Sequence, residues 1–328
     1  MGKLRSLVRV NEWLFSKIPS LFVPLLLFYY YEGASGDCTK VLFLYFIYLM
    51  FSFSFGYAVN DYSDREEDAI VGKRNIMGEL SETQCSLILL ILLCGCIPFG
   101  IICNNPVIIP IYIFVYFWGA AYSIRPFRFK ERGALGLFEC AIAQRMFPMF
   151  PILAYSLKTM RYVILWGSIT FFAGMRYILI HQMLDLENDR RSGTRTFTTE
   201  HEKETRYLIY AFFLGETVLL IVTAILAFPL NVVIRFGLLY LAIMGLTFFT
   251  VQYIYHSPWL LSYTAVPYED LYNFYFPLFL LVAITQKASG AFTAILILCM
   301  IGFHPMLNKW KIMAFGFRRI LEGALWNK

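Results

Sequence analysis

Charged residues are scarce in this sequence, and their scarcity limits the class of protein that it can encode. Of 328 residues, 15% are Asp, Glu, Lys or Arg, whereas 59% are hydrophobic and 18% are aromatic. The mean hydropathy is +0.61. A water-soluble domain carries about a quarter of its residues as charged ones, so the composition predicts an integral membrane protein. We expect membrane lipid around it and no nucleic-acid partner.

Motifs of zinc and redox proteins are also missing. The seven cysteines lie mostly inside apolar runs, and no two of them form a CxxC pair. They are therefore expected to act as small hydrophobic side chains. The four histidines occur without an HExxH motif, which argues against a zinc site.

Long apolar runs, separated by Pro, Gly and Asn, predict an all-α, polytopic membrane bundle. The runs approach the roughly 20 residues that cross a bilayer as a helix. The predicted helices cover about residues 19–31, 41–60, 86–103, 107–123, 134–155, 162–183, 207–228, 232–252, 271–285 and 289–305. Between the eighth and ninth helices, residues 268–270 (Tyr-Glu-Asp) are expected to lie in a solvated loop, and a base or a contact to the acceptor is the alternative.

The distribution of positive charge predicts the orientation of this bundle. Loops on one side carry most of the 28 Lys and Arg residues, and the positive-inside rule places these loops and the N-terminus in the cytoplasm. If the basic C-terminal tail is also cytoplasmic, the number of crossings is even, which favours ten helices over nine. Arg145 and Arg176 fall inside predicted helices, where a cation is costly unless it faces a cavity or a partner.

Two acid-rich segments end helices on the predicted cytoplasmic side. Asp61, Asp64 and Asp68 are spaced i, i+3 and i+7, and Asp185 and Asp189 are spaced i and i+4, so each set lies on one face of a continuing helix. Carboxylates this close repel one another unless a cation lies between them. Hard oxygen ligands at an interface suit Mg²⁺, which proteins hold with few carboxylates together with substrate phosphates. The pattern predicts one magnesium–diphosphate site.

The two segments share the pattern D-x3-D-x3-G-x-R with a constant offset of 121 positions. The first copy is Asp64, Asp68, Gly72 and Arg74, and the second is Asp185, Asp189, Gly193 and Arg195. We therefore expect one domain, residues 1–328, with an internal repeat around 41–123 and 162–252. A glycine turn after each helix would let Arg74 and Arg195 fold back toward a ligand. Charged loops that only fix the membrane topology are the alternative interpretation.

A third segment on the same side, residues 122–130, carries Arg128 and Lys130. Positive charge in a cytoplasmic loop is common, but beside two acidic segments it is better explained by contacts to a diphosphate. Cations of this kind neutralise a departing diphosphate.

These motifs resemble those of the UbiA superfamily of membrane prenyltransferases. The family's NDxxDxxxD motif, YSxxPxRxK element and DxxxD motif occur here in order. The matching residues are Asn60, Asp61, Asp64 and Asp68; Tyr122, Ser123, Pro126, Arg128 and Lys130; and Asp185 and Asp189. Residues 9–13 and 17–19 also resemble the start of the family.

The resemblance implies an all-α fold around a central cavity, with Mg²⁺ as cofactor and a prenyl diphosphate as substrate. It implies that the first three aspartates hold one metal ion, that the second pair holds another, and that Asn60 positions the first ion. The diphosphate contacts implied or expected from the charge pattern are Lys17, Lys73, Arg74, Tyr122, Arg128, Lys130 and Arg195. Family members usually have about nine helices, whereas the charge argument favours ten.

The predicted function is magnesium-dependent transfer of an isoprenoid, through an allylic cation, to an aromatic or lipid-like acceptor. The protein would thus be a transferase of alkyl or aryl groups other than methyl. A membrane terpene cyclase of the same superfamily, in which the chain's own double bond captures the cation, would use the same metal site, and a carotenoid acceptor is also open. A transporter with paired aspartates would place them near mid-membrane, whereas these lie at helix ends.

Overall fold

The computed structural model describes residues 8–33, 38–70, 72, 74–193, 195–234, 236–238, 240–242 and 268–285. These ranges are helical and contain no β-strand, which confirms the predicted all-α fold. The longer helices are α1 Ile18–Glu32, α2 Cys38–Ser63, α3 Glu82–Cys94, α4 Ile97–Cys103, α5 Ile108–Ala121, α6 Ala134–Arg145, α7 Met160–Ser192, α8 Glu202–Ala227 and α9 Phe276–Thr285.

Five helical stretches in the described part of the chain are long and apolar enough to cross a bilayer. They are Cys38–Ser63, Glu82–Cys103, Ala134–Tyr155, Leu157–Glu187 and Glu202–Leu226. Burial separates them into two groups: 44%, 56% and 61% of the most apolar part of the first, third and fourth spans is buried, against 17% of the second and fifth. Because the exposed residues of the outer spans are largely Leu, Ile and Val, these spans face lipid. The protein is an integral membrane protein.

The observed helices agree with the predicted ones up to residue 228. Two predicted helices are each divided, the third into α3 and α4 and the fifth into α6 and the short helix Pro151–Tyr155. Prolines lie in the first turns after both breaks, where they fit a helix start but could not continue one. The eighth predicted helix is described in part, as Leu230–Ala242. The tenth lies outside the described residues, so the choice between nine and ten helices stays a prediction.

The expected solvated loop at residues 268–270 is wrong. These residues are helical, and Asp270 is buried. They lead into a π-helical turn, Leu271–Tyr275, which ends at α9. The turn buries Leu271, Tyr272 and Phe274 in the core. Because these side chains pack in the core, the polar residues just before them also lie close to it.

A buried ion pair joins α7 to α8. The Nε of Arg176 lies 2.7 Å from one oxygen of Glu216, and its second terminal nitrogen donates to the other oxygen at 3.0 Å. Both side chains are inaccessible to solvent. Of the two environments that the sequence left open for Arg176, a cavity or a partner on a neighbouring helix, the structure shows the second. Removing one member of such a pair leaves an uncompensated charge in an apolar interior, so the pair fixes the position of α7.

Candidate active site

The first acidic segment starts inside α2 and continues past its end. The helix ends at Ser63, Asp64 occupies a turn, and a short helix Arg65–Ile70 follows. The amide of Asp64 donates to the carbonyl of Asn60 at 3.0 Å, and the amide of Asp68 donates to the carbonyl of Asp64 at 2.8 Å. Since these i→i−4 bonds bridge the break, the helical spacing expected for the aspartates is kept.

Cations from the basic segment hold Asp64. Lys130 donates to its carboxylate, and Arg128 lies 3.4 Å from the same oxygen. Arg128 also pairs with Glu67 and Glu131, and its side chain is only 6% exposed. The structure thus brings together two parts of the sequence about 65 residues apart. One carboxylate and two cations form a partly buried cluster.

The other two aspartates of this segment have partners that sequence reasoning missed. Arg9 lies 3.2 Å from Asp61 and stacks its guanidinium over the ring of Tyr57. Asn75 donates 2.8 Å to the carboxylate of Asp68 and 2.7 Å to the carbonyl of Asp61. In the sequence, Arg9 stands out only as the first residue of the segment 9–13 that resembles the start of the family, and no motif contains Asn75.

Asn60 ties the end of α2 to the start of the basic segment. The hydroxyl of Ser123 donates to the side-chain oxygen of Asn60 at 2.8 Å, and the hydroxyl of Ser63 donates to the carbonyl of Ser123 at 2.7 Å. The amide of Lys130 donates to the carbonyl of Tyr122 at 3.1 Å, so the segment closes on itself. This closed loop places Arg128 and Lys130 over the aspartates.

The second acidic segment lies in the last turns of α7, at the end of the apolar span Leu157–Glu187. Asp185 lies 3.5 Å from the Nε2 of His181, and the hydroxyl of Thr196 donates to Asp189 at 3.5 Å. Burial, and then the neighbouring charge of Asp185, raise the pKa of Asp189, while the hydrogen bond from Thr196 acts in the opposite direction. A carboxylate whose ionisation is disfavoured by a neighbouring carboxylate attracts a cation.

The glycines of the repeated pattern have the same backbone conformation. Gly72 has a φ of 68° and Gly193 a φ of 72°, the left-handed region that suits glycine after a helix. In the described residues, the arginines that follow these glycines form no ion pair with the aspartates of the pattern. Arg74 pairs with Glu79 at 3.2 Å and is 70% exposed, and Arg195 is exposed. Lys73 lies outside the described residues, and the internal repeat stays a prediction.

A cavity of about 540 Å³ lies between α2, α5, α6 and α7, within the size range of small-molecule sites. Asn60 of the first motif and His181, which contacts Asp185, both line it. Both acidic segments therefore border the same cavity. Its aromatic lining consists of Phe53, Phe55, Tyr57, Tyr116, Tyr122 and Tyr177.

Lys17 lies inside this cavity rather than at its acidic end. Its ammonium group donates 2.9 Å to the hydroxyl of Tyr57 and also donates to the side-chain oxygen of Gln144. Arg145, the other cation predicted within the membrane, lines the cavity as well and donates 3.0 Å to the carbonyl of Ser16. The two buried cations Lys17 and Arg145 are therefore hydrogen-bonded to neutral oxygens.

The oxygen donors of the two segments suit Mg²⁺ shared with a ligand. In the described part of the chain, no group of three or more His, Cys, Asp and Glu side chains is close enough to hold a metal ion alone. Mg²⁺ is usually held by one or two carboxylates, waters and substrate phosphates. The carboxylates of the two segments, each next to a residue that lines the cavity, would supply the protein part of such a site.

The chain belongs to the UbiA prenyltransferase family, whose sequence model matches residues 21–265. This confirms the resemblance read from the motifs and makes the protein a member of a family of prenyl-transferring enzymes. A comparison with the sequences of curated proteins finds no match.

Solved structures share the fold at low sequence identity. A UbiA homologue from Aeropyrum pernix K1 is 16% identical, with 85% of this chain and 98% of that chain covered and a TM-score of 0.61. A UbiA homologue from Archaeoglobus fulgidus bound to DMAPP and Mg²⁺ is 17% identical, with 86% and 99% covered and a TM-score of 0.58. A structure from work on digeranylgeranylglyceryl phosphate synthase in membranes is 15% identical, with 88% and 99% covered and a TM-score of 0.57.

Proposed function

We infer that this protein transfers an isoprenoid from a prenyl diphosphate to a hydrophobic, lipid-like or aromatic acceptor, with Mg²⁺ as cofactor. The observation that carries this function is the shared cavity, whose wall includes Asn60 of one acidic motif and His181 beside the other. A ligand with a polyanionic head and an apolar tail fits such a cavity. The solved homologues bound to DMAPP with Mg²⁺ and to GPP with Mg²⁺ support this substrate class.

The aspartates would hold the metal ions, Asp61, Asp64 and Asp68 on one side and Asp185 and Asp189 on the other. When bound, Mg²⁺ would neutralise the negative charge of the diphosphate. The side chains proposed to bind or position the diphosphate are Asn60, Lys17, Lys73, Arg74, Tyr122, Arg128, Lys130 and Arg195. Lys130 and Arg128 are the best supported, because both contact the carboxylate of Asp64 and therefore lie at the first acidic segment.

The protein's own groups have two further tasks in this reaction. Cations around the diphosphate stabilise the charge that gathers on it as the bond to the prenyl carbon breaks. Aromatic faces of the cavity, such as those of Phe53 and Tyr57, attract the allylic cation that remains. Burial in the cavity keeps bulk water away from that cation.

The orientation in the membrane follows from the charge pattern of the loops. We place the N-terminus and both acidic segments on the cytoplasmic side. The prenyl tail would then lie in the cavity at membrane depth while the diphosphate meets the cytoplasmic loops. A lipid-like acceptor is able to enter from the bilayer, and the similarity to the structure from the digeranylgeranylglyceryl phosphate synthase work supports an acceptor of this kind.

Product analysis with the full chain in nanodiscs tests this function. The protein is incubated with dimethylallyl, geranyl, farnesyl or geranylgeranyl diphosphate, with Mg²⁺ or EDTA, and with or without a lipid extract of cells that naturally make it. We expect Mg²⁺-dependent diphosphate release and a prenylated lipid that needs the extract. A cyclic hydrocarbon or alcohol formed without extract would instead identify a terpene cyclase. No diphosphate release under any condition would contradict both.

A further inference from the structure

A buried carboxylate on α6 has no partner in the described structure. Glu139 is only 3% exposed, and neither of its side-chain oxygens accepts or donates a hydrogen bond. Burying a carboxyl group without a hydrogen-bond partner lowers the stability of the fold. Proteins keep such a group mainly where it binds a ligand or takes part in a reaction. The question is therefore which group completes this site.

The neighbouring polar side chains have hydrogen-bond partners other than Glu139. Lys17 donates to Tyr57 and Gln144, Gln144 donates 3.2 Å to the sulfur of Cys140, and Arg145 donates to a backbone carbonyl. All five side chains line the same cavity as Glu139. None of them donates to Glu139, so a molecule inside the cavity is the natural source of the hydrogen-bond donor.

The position of Glu139 fits the place where the new bond forms. It follows the start of α6 at Ala134 by five residues, about 7.5 Å along a helix that rises 1.5 Å per residue. The basic segment that holds Asp64 ends immediately before α6. Tyr122, at the start of the basic segment, lines the same cavity as Glu139. Glu139 therefore lies one or two helical turns from the basic segment, on the wall of the cavity proposed to hold the prenyl diphosphate.

We propose that Glu139 binds the hydroxyl group of the prenyl acceptor and takes its proton during transfer. The carbon–oxygen bond to the diphosphate breaks, and its electron pair leaves with the diphosphate. A lone pair of the acceptor hydroxyl oxygen bonds to the prenyl carbon, and the hydroxyl proton moves to the carboxylate of Glu139, which returns it to solvent after product release. This role rests on the proposed function and defines the acceptor as an alcohol or a phenol rather than an alkene.

Glu139→Gln separates this role from the diphosphate site. Gln keeps the size of the side chain but cannot accept a proton, so we expect transfer to the lipid extract to fall about 100-fold, within the usual range for a general base. Binding of the prenyl diphosphate with Mg²⁺, measured by calorimetry, should stay within about twofold of wild type. Glu139→Asp should recover part of the transfer rate. Glu204→Gln, an exposed glutamate on α8, is the matched control and should transfer normally.

Capping the hydroxyl groups of the extract tests the acceptor class directly. Acetylated extract should lose acceptor activity, and mild deacetylation should restore it, whereas an alkene acceptor would survive the treatment. Mass spectrometry of the product separates a phenol from an aliphatic alcohol. The midpoint of thermal unfolding of Glu139→Gln should equal or exceed that of wild type, because the variant keeps the size of the side chain and removes a buried carboxyl group without a partner.

Several results would overturn the proposal while leaving the proposed function intact. They are normal transfer by Glu139→Gln, an equal loss of diphosphate binding and transfer, full acceptor activity of the acetylated extract, or a prenylated nitrogen in the product. Failure of the wild-type protein to release diphosphate with Mg²⁺ would remove the proposed function and this role together.

Discussion

The two acidic segments border one cavity, but the protein holds their carboxylates differently. In the first segment, Asp64 contacts Lys130 and Arg128, and Asp61 contacts Arg9. In the second, Asp185 and Asp189 have contacts of 3.5 Å to a histidine and a threonine. The side chain of Asp64 is 14% exposed, against 45% for Asp185. The first segment is thus held by the protein's own cations, whereas the carboxylates of the second have longer contacts, and Asp185 is more exposed than Asp64.

This difference suggests that the two segments have different roles within one site. A cation that enters the first segment has to compete with Lys130 and Arg128, which then become available to the diphosphate. The second segment offers carboxylates whose mutual repulsion favours a cation from outside, as the raised pKa of Asp189 indicates. The predictions below test whether the segments act as one site, and then which contacts make them unequal.

The largest effect is expected when one aspartate of each segment is neutralised. Asp64→Asn and Asp185→Asn should each lower Mg²⁺-dependent transfer by about 100-fold or more, as loss of a charge-stabilising group does elsewhere. Because groups that act as a unit are not additive, the double variant should lose little beyond either single one. Steady-state rates of the three variants at saturating Mg²⁺ give the comparison. Fully multiplicative losses would show two independent sites.

The cations of the first segment should matter more than the arginines of the repeated pattern. Lys130→Gln removes the ammonium group that contacts Asp64, and we expect about a 100-fold loss in transfer rate. Arg74→Gln removes a guanidinium that is 70% exposed and pairs with Glu79, so a loss below about fivefold is expected. The measurement is kcat and KM for the prenyl diphosphate. Equal losses would show that Arg74 turns inward when the substrate binds.

The sequence predicted the fold and the site from different kinds of pattern. Apolar runs located the membrane helices to within a few residues, because burial in a bilayer demands about 20 apolar residues in a row. Motif spacing found Asp61, Asp64 and Asp68 and the basic segment that meets them. The sequence did not reveal the contacts of Arg9, Asn75 and Glu139, because these contacts depend on which helices pack together. A single glutamate in an apolar helix has no periodicity that reveals whether it faces a cavity, a partner or lipid.

An intermediate effect is expected at the side chains that orient the carboxylates. Asn75→Ala removes hydrogen bonds of 2.8 Å to Asp68 and 2.7 Å to the carbonyl of Asp61, and should weaken Mg²⁺ activation about tenfold, as loss of a group behind a metal ligand does. Thr196→Val removes a longer bond of 3.5 Å to Asp189 and should cost less than about threefold. Activity as a function of Mg²⁺ concentration measures both. Thr196→Ser, which keeps the hydroxyl, should match wild type.

The smallest effect is expected at His181, the residue through which the second segment touches the cavity. Its contact with Asp185 is 3.5 Å long and its side chain is 70% exposed, and an exposed pair of this kind contributes about 1 kcal/mol at most. His181→Gln should therefore change the transfer rate by less than about fivefold, measured as kcat and KM for the prenyl diphosphate. A loss as large as that of Asp185→Asn would show that His181 holds the substrate or the metal itself. The second segment would then be as tightly organised by the protein as the first.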